Sequence, residues 1–192
     1  MSILQLLNNK HLEIMKRLSI AFLLACTLIY AYPVKAQQNV VKMNFLSLIV
    51  KTFNVSYERV IDENNSFQLG VFYTGAKIGD TKLTGFGITP EYRFYLSETE
   101  APNGVYVAPY LRYNNLELKD ELSTSEATLS SIGGGLIIGK HWIFKEKVSF
   151  DLFIGPSYVS ASIKVKSGTT TYDTGAFDGF GLRFGITLGL GF

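Results

Sequence analysis

From Phe180 to Phe192 the sequence reads FGLRFGITLGLGF, and every second residue is large and apolar. Phe180, Leu182, Phe184, Ile186, Leu188, Leu190 and Phe192 fall on one side of an extended chain. Gly181, Arg183, Gly185, Thr187, Gly189 and Gly191 fall on the other. A period of two places successive side chains on opposite faces of a β-strand, which excludes a helix for this stretch.

The pattern is not confined to the end of the chain. Alternation bounded by turn residues predicts eight strands, at 40–49, 53–61, 66–75, 84–96, 105–117, 128–143, 148–162 and 179–192. Short turns join them at 62–65, 97–104 and 144–147, and longer polar stretches at 76–83, 118–127 and 163–178. No segment after residue 36 carries a convincing helical period with caps, and no repeat of 20–50 residues is present.

The composition of the second face decides which side is inside. A soluble sandwich or lipocalin-like barrel packs its apolar face inward and covers the other with long charged residues. Here the other face is Gly, Ser, Thr, Asn and Tyr with isolated charges, as in Gly87, Thr89, Glu91, Arg93 and Ser131, Gly133, Gly135, Gly139. Small and polar residues suit a cramped lumen, so the bulky apolar face is expected to meet lipid. An even number of strands, each long enough to cross at a tilt, and closure of the sheet edges all fit. The expected fold is all-β: an eight-stranded antiparallel up-and-down transmembrane β-barrel, monomeric, spanning 37–192.

Residues 1–36 read as a cleaved signal peptide. Met15-Lys16-Arg17 is a basic start, Leu18 to Tyr32 is apolar, and Val34-Lys35-Ala36 places small residues where a signal peptidase cuts. Met1–Ile14 reads as an upstream start extension. A retained transmembrane helix and a lipoprotein box at Leu23-Leu24-Ala25-Cys26 are the competing readings. Cleavage removes Cys26, the sole cysteine, and with it any thiol chemistry. It also removes four of the 18 basic residues (Lys10, Lys16, Arg17, Lys35) and one of the 16 acidic ones (Glu13). The remainder is nearly neutral, which argues against nucleic acid as a partner.

Outward aromatic residues are expected to mark two membrane interfaces: Tyr73, Tyr113 and Tyr158 on the outer side, Phe94, Trp142 and Phe192 on the periplasmic side. The expected partners are outer-membrane lipids, with the barrel-assembly machinery meeting the final strand, whose terminal Phe192 resembles an assembly signal. The segments VVKMNFLSLIVKTFNVSYERVI and GITPEYRFYLS, with Asn44, Tyr57-Glu58-Arg59 and Pro90-Glu91-Tyr92-Arg93, resemble a small barrel family of Gram-negative outer membranes. That family is catalogued as domain of unknown function 3575. The resemblance implies a barrel and an outer-membrane location, and no activity.

Seven charges fall on the inward phase: Lys42, Glu58, Glu91, Arg93, Arg112, Asp151 and Arg183. Unpaired charges in a narrow interior are costly, so a salt-bridged plug is expected, with a small binding site or ion path as the functional alternative. Pro90, Pro109 and Pro156 sit inside strands, where each removes a ladder hydrogen bond. A bulge that tunes the twist is one reading. A lateral gap at Pro90 and Pro109, admitting a lipid or hydrophobic ligand, is the other.

Gly134–Lys140, GGLIIGK, fits a phosphate loop up to the Lys, but His141 follows where Ser or Thr belongs. His141 alone, without cysteine, makes no common zinc site and is expected to pack. Asp120, Glu121 and Glu126 form an acidic loop without calcium-loop spacing. No cofactor, metal or catalytic residue is expected. The function expected is therefore a structural or surface-interaction role in the envelope, with binding or lateral transport of a small hydrophobic molecule or lipid through the barrel wall second and an outer-membrane lipid-modifying enzyme third.

Overall fold

The computed structural model describes residues 38–120, 125–145, 147–168 and 178–192. These all belong to one compact unit, Ala36–Phe192. The expected signal peptide, with Cys26, and Glu121 of the acidic loop lie outside the described residues.

The elements run β1 (Asn39–Asn44), α1 (Phe45–Ile49), β2 (Thr52–Asp62), β3 (Asn65–Thr74), β4 (Lys77–Ile78), β5 (Thr81–Tyr95), β6 (Gly104–Asp120), β7 (Glu126–Phe144), β8 (Val148–Ser167) and β9 (Gly179–Gly191). Eight of the strands form a ring in which every neighbouring pair is antiparallel. It closes where β1 meets β9, with Val40 opposite Gly191 and Asn44 opposite Thr187. β4 stands off the ring as a two-residue extension paired with the start of β5. The fold is thus an eight-stranded up-and-down barrel. Its short connections lie at one end; α1 and the connections from β3, β6 and β8 lie at the other.

The inner face is built from matched opposites. Phe72 faces Gly87 across β3–β5, Tyr106 faces Gly139 across β6–β7, and Phe153 faces Gly185 across β8–β9. A Cβ on any of these glycines would overlap the ring opposite. The glycine-rich face therefore is not empty: each of these three bare positions receives an aromatic ring from the neighbouring strand. Gly139→Ala would push aside the Tyr106 ring or the Leu152 carbonyl, which lies 2.8 Å from the added carbon. The expected cost is about 1–3 kcal/mol, read as a lower denaturant midpoint.

Orientation follows directly. Leu182 and Phe184 are each 62% exposed, whereas Arg183 between them is nearly buried and Thr187 is 6% exposed. Bulky hydrocarbon lies outside, and small and charged groups lie within. Two clusters of buried apolar residues sit inside as well. One joins Tyr95, Tyr106, Ala108, Tyr110, Ile137 and Phe153. The other joins Leu83, Leu116, Leu118, Ala127 and Leu129 where β5–β7 rise past their neighbours.

One segment departs from the sequence expectation. The strand predicted over 40–49 stops at Asn44, and Phe45–Ile49 is a single helical turn and a half. The Asn44 side chain accepts the Ser47 N–H at 3.3 Å, and the Ser47 hydroxyl donates to the Asn44 carbonyl at 2.7 Å. This N-cap turns the chain out of the sheet. Lys51, at φ +54°, then reverses it into β2. The consequence is a ring with half a strand missing. β9 from Gly179 to Ile186 has β8 on one side and no β1 partner on the other, and Thr52–Asn54 of β2 are likewise unpaired with β1. α1 occupies that break, against β2 and β9.

Candidate functional site

Alternation alone places the seven predicted charges on the inner face; the register decides which of them meet. Lys42 Nζ bonds both Glu58, on the adjacent strand, and Asp151 Oδ2 at 3.1 Å. Arg93 reaches three carboxylates: Nε to Glu91 Oε1 at 2.7 Å, Nη1 to Asp151 Oδ2 at 2.8 Å and to Glu58 Oε2 at 3.4 Å. Arg183 Nη1 closes the chain on the free oxygen of Glu91 at 2.9 Å. Three cations thus meet three anions, and all but Arg183 have side chains fully buried.

Neutral groups complete the shell. Tyr106 donates to Asp151 Oδ1 at 2.8 Å, and Tyr95 donates to Glu58 Oε1 at 2.6 Å. Ser66 also bonds Glu58. The Arg93 guanidinium lies 4.2 Å above the Tyr106 ring, and that of Arg183 lies 4.2 Å above Tyr110. His141 lies fully buried, with Nδ1 at 3.2 Å from the Tyr95 hydroxyl and 3.6 Å from Glu58 Oε2. Sequence reasoning did not assign Tyr95, Tyr106 or His141 to the network. Tyr95 stands two residues beyond Arg93 and Tyr106 four before Tyr110, so the same alternation carried the signal.

Arg112 stands apart. Its Nε donates to Thr89 Oγ1 at 3.1 Å, and no carboxylate pairs with it among the described residues. It borders a cavity of about 670 Å³ above the network. From the short-turn end the lumen is therefore layered: ionic plug, then Arg183 with its aromatic rings, then Arg112 and the cavity, then the apolar cluster of β5–β7.

A family model described as a protein of unknown function, DUF3575, matches residues 20–175. The chain belongs to this family. No curated protein matches the sequence. Among solved structures, the crystal structure of the N-terminal β-barrel domain of Pseudomonas aeruginosa OprF is similar at 15% identity and a TM-score of 0.47, covering 82% of this chain and 100% of that one.

The segments that carry the DUF3575 resemblance fall on structurally distinct places. Asn44 caps α1. Tyr57 donates to Asn39 Oδ1 at 2.5 Å on the outer face, Glu58 enters the plug, and Arg59 is exposed. Glu91 and Arg93 lie in the plug, while Tyr92 packs on Phe94 with centroids 4.8 Å apart.

Pro90 and Pro109 lie on the β5–β6 seam. The pairing there lapses at Thr89–Pro90 and again at Tyr92–Arg93, yet Glu91 still faces Tyr110 and Phe94 still faces Val107. The register is the same on both sides of the lapse, so the expected bulge is absent. Each proline simply presents a nitrogen without hydrogen to the partner strand. The opposite seams, β3–β5 and β6–β7, pair continuously past both prolines. Pro156 behaves alike, interrupting β7–β8 without a shift. Gly134–Lys140 lies wholly within β7 with no helix after it, so no phosphate cradle forms.

The aromatic positions also separate by level. Tyr73, Tyr113 and Tyr158 are exposed toward the long-connection end, with Tyr158 edge-on to Phe180 at 5.0 Å. Phe94, Trp142 and Phe192 lie toward the short-turn end, with Lys140 Nζ 5.1 Å from the Trp142 ring. Beyond Tyr113 the outer face of β6 turns polar. Lys166 there bonds Glu117 at 2.9 Å and Lys119 bonds Glu126 at 2.9 Å. Lys166 holds the Glu117 carboxyl below the usual range, and Glu126 holds the Lys119 ammonium above its own.

Proposed function

We propose that the protein is an outer-membrane β-barrel with an ionically plugged lumen, serving a structural or surface-recognition role through its long-connection end. The observation that carries this reading is the outer belt. On β8 the outward positions from Val148 to Tyr158 are apolar, and Ser160, Ser162, Lys164 and Lys166 follow beyond them. Ten residue-to-residue steps at about 3.4 Å each, tilted about 40°, give a band about 25 Å tall, the height of an outer-membrane belt. No described helix is long and apolar enough to cross a membrane.

The plug supports a closed barrel, and its residues read as structural rather than catalytic. Outer-membrane lipids are the expected neighbours, and a ring closed by β1 on β9, with α1 against the one open stretch, favours a monomer. The test is refolding of 37–192 into phospholipid vesicles. Unheated protein should migrate faster than heated protein on a denaturing gel, and planar bilayers should show no sustained conductance. Folding in buffer without detergent, or a steady open channel, would defeat the proposal.

A second reading has its own observation. The two-bond lapse at Pro90 and Pro109 weakens one seam and supports lateral passage of a hydrophobic molecule there. Restoring both donors with Pro90→Ala and Pro109→Ala should then abolish passage of a spin-labelled alkyl probe; unaltered passage removes this reading.

A further inference from the structure

We infer that the cavity above the plug is a binding site for a single-chain amphiphile with an anionic head group, carboxylate or phosphate, which enters from the bilayer through the break between β9 and β2. The site rests on the bilayer location proposed above and concerns a different place in the wall from the proline seam.

Three observations converge. The first is the break itself. β1 ends at Asn44, so among the described residues the wall beside Gly179–Ile186 has no strand, only the short α1. The second is the shape of the cavity. It is bordered at once by lumen residues Thr89, Tyr110 and Arg112 and by Ile49, Leu182 and Phe184, which face outward on α1 and β9. A space lined by both faces of a sheet passes through it. Its volume of about 670 Å³ lies in the usual range for ligand sites, about 300–1,000 Å³.

The third is charge. The plug is balanced within itself, three cations against three anions. Arg112 is the cation left over, and its guanidinium bonds only Thr89 among the described side chains. Arg183 borders the same cavity, and its Nε has no acceptor among the described residues. A partly buried guanidinium without a counter-ion is costly, and a planar fork of donors matches a carboxylate or phosphate. The apolar rim at Leu182 and Phe184 is continuous with the acyl region, so a tail can remain there while the head reaches Arg112. A neutral lipid would leave the cation unpaired; a free inorganic anion would leave the apolar rim unused.

The test uses the folded barrel in a nonionic maltoside detergent, with 11-(dansylamino)undecanoate as fluorescent probe. Hexadecanoate, hexadecyl phosphate and hexadecanol serve as competitors. At least one anionic competitor should displace the probe about tenfold more effectively than the alcohol, and which one does so identifies the head group. Arg112→Gln should weaken anionic binding about tenfold and leave the alcohol unchanged, while Arg112→Lys retains most of it. Lys119→Gln, on the exposed end of β6, should change nothing. Leu46→Trp, which fills the break beside α1, should abolish the fast phase of uptake.

Equal binding of acid and alcohol, or full affinity in Arg112→Gln, overturns the site. Unchanged uptake in Leu46→Trp overturns lateral entry. Heat-modifiable gel mobility of each variant reports folding separately. A barrel that folds and inserts but binds no anion refutes this inference alone; one that does not insert refutes the membrane reading instead.

Discussion

Glu58→Ala is expected to cost about 3–5 kcal/mol of stability, measured as a lower urea midpoint for the barrel in lipid vesicles. The carboxylate bonds Lys42, Ser66 and the Tyr95 hydroxyl, and it lies 3.4 Å from Arg93 Nη1. Removing it leaves Lys42 and Arg93 sharing Asp151, in a region where none of these side chains touches solvent. The loss is not one surface ion pair, worth under about 1 kcal/mol, but one uncompensated positive charge in a buried cluster of three cations and two remaining anions. Glu58→Gln keeps an oxygen for Tyr95 and Ser66 and should lose less than the alanine variant. A cost below about 1 kcal/mol for Glu58→Ala would mean that the plug does not hold the barrel together.

Ile154→Arg is expected to lose about 2–4 kcal/mol in a bilayer, the usual cost of a cation on the lipid face near mid-depth. Ile154 points outward near the middle of the β8 belt. Ser162→Arg, on the same strand and face but beyond Tyr158, should stay within about 1 kcal/mol of the parent. Both positions are exposed, so in water neither substitution would matter. The difference between the two, read by urea titration in vesicles, isolates the contribution of the acyl region. Equal effects at both positions would sink the membrane reading.

Much of this architecture is legible in the amino acids, for a physical reason. A strand with one face in each of two unlike surroundings carries its orientation in every pair of residues, so β9 and the belt of β8 read directly. What stayed hidden depends on partners far away in the chain. Asp151 meets Lys42 across 109 positions, and no local pattern announces that contact. Strand ends were also underestimated. β6 continues to Asp120 and β7 begins at Glu126, because Lys119 and Glu126 pair across the ladder where the apolar signal has stopped. α1 went unread because a turn and a half is too short to show a period. The cue was Asn44 followed three residues later by Ser47, a capping arrangement inside an apolar run. The prolines were expected to force a bulge. Their nitrogens instead sit where only two ladder bonds are lost, which needs no shift.

The plug has a consequence for how such a chain can come into being. Its members arrive from β1, β2, β5, β8 and β9, which are spread over nearly the whole sequence. The earlier segments already carry matched charges: Lys42 meets Glu58 on the neighbouring strand, and Arg93 meets Glu91 on its own. What the last two segments add is Asp151, shared by Lys42 and Arg93, and Arg183 on the second oxygen of Glu91. Joining first and last segments therefore ties two ready-made ion pairs into one network, which makes closure the step that fixes the interior.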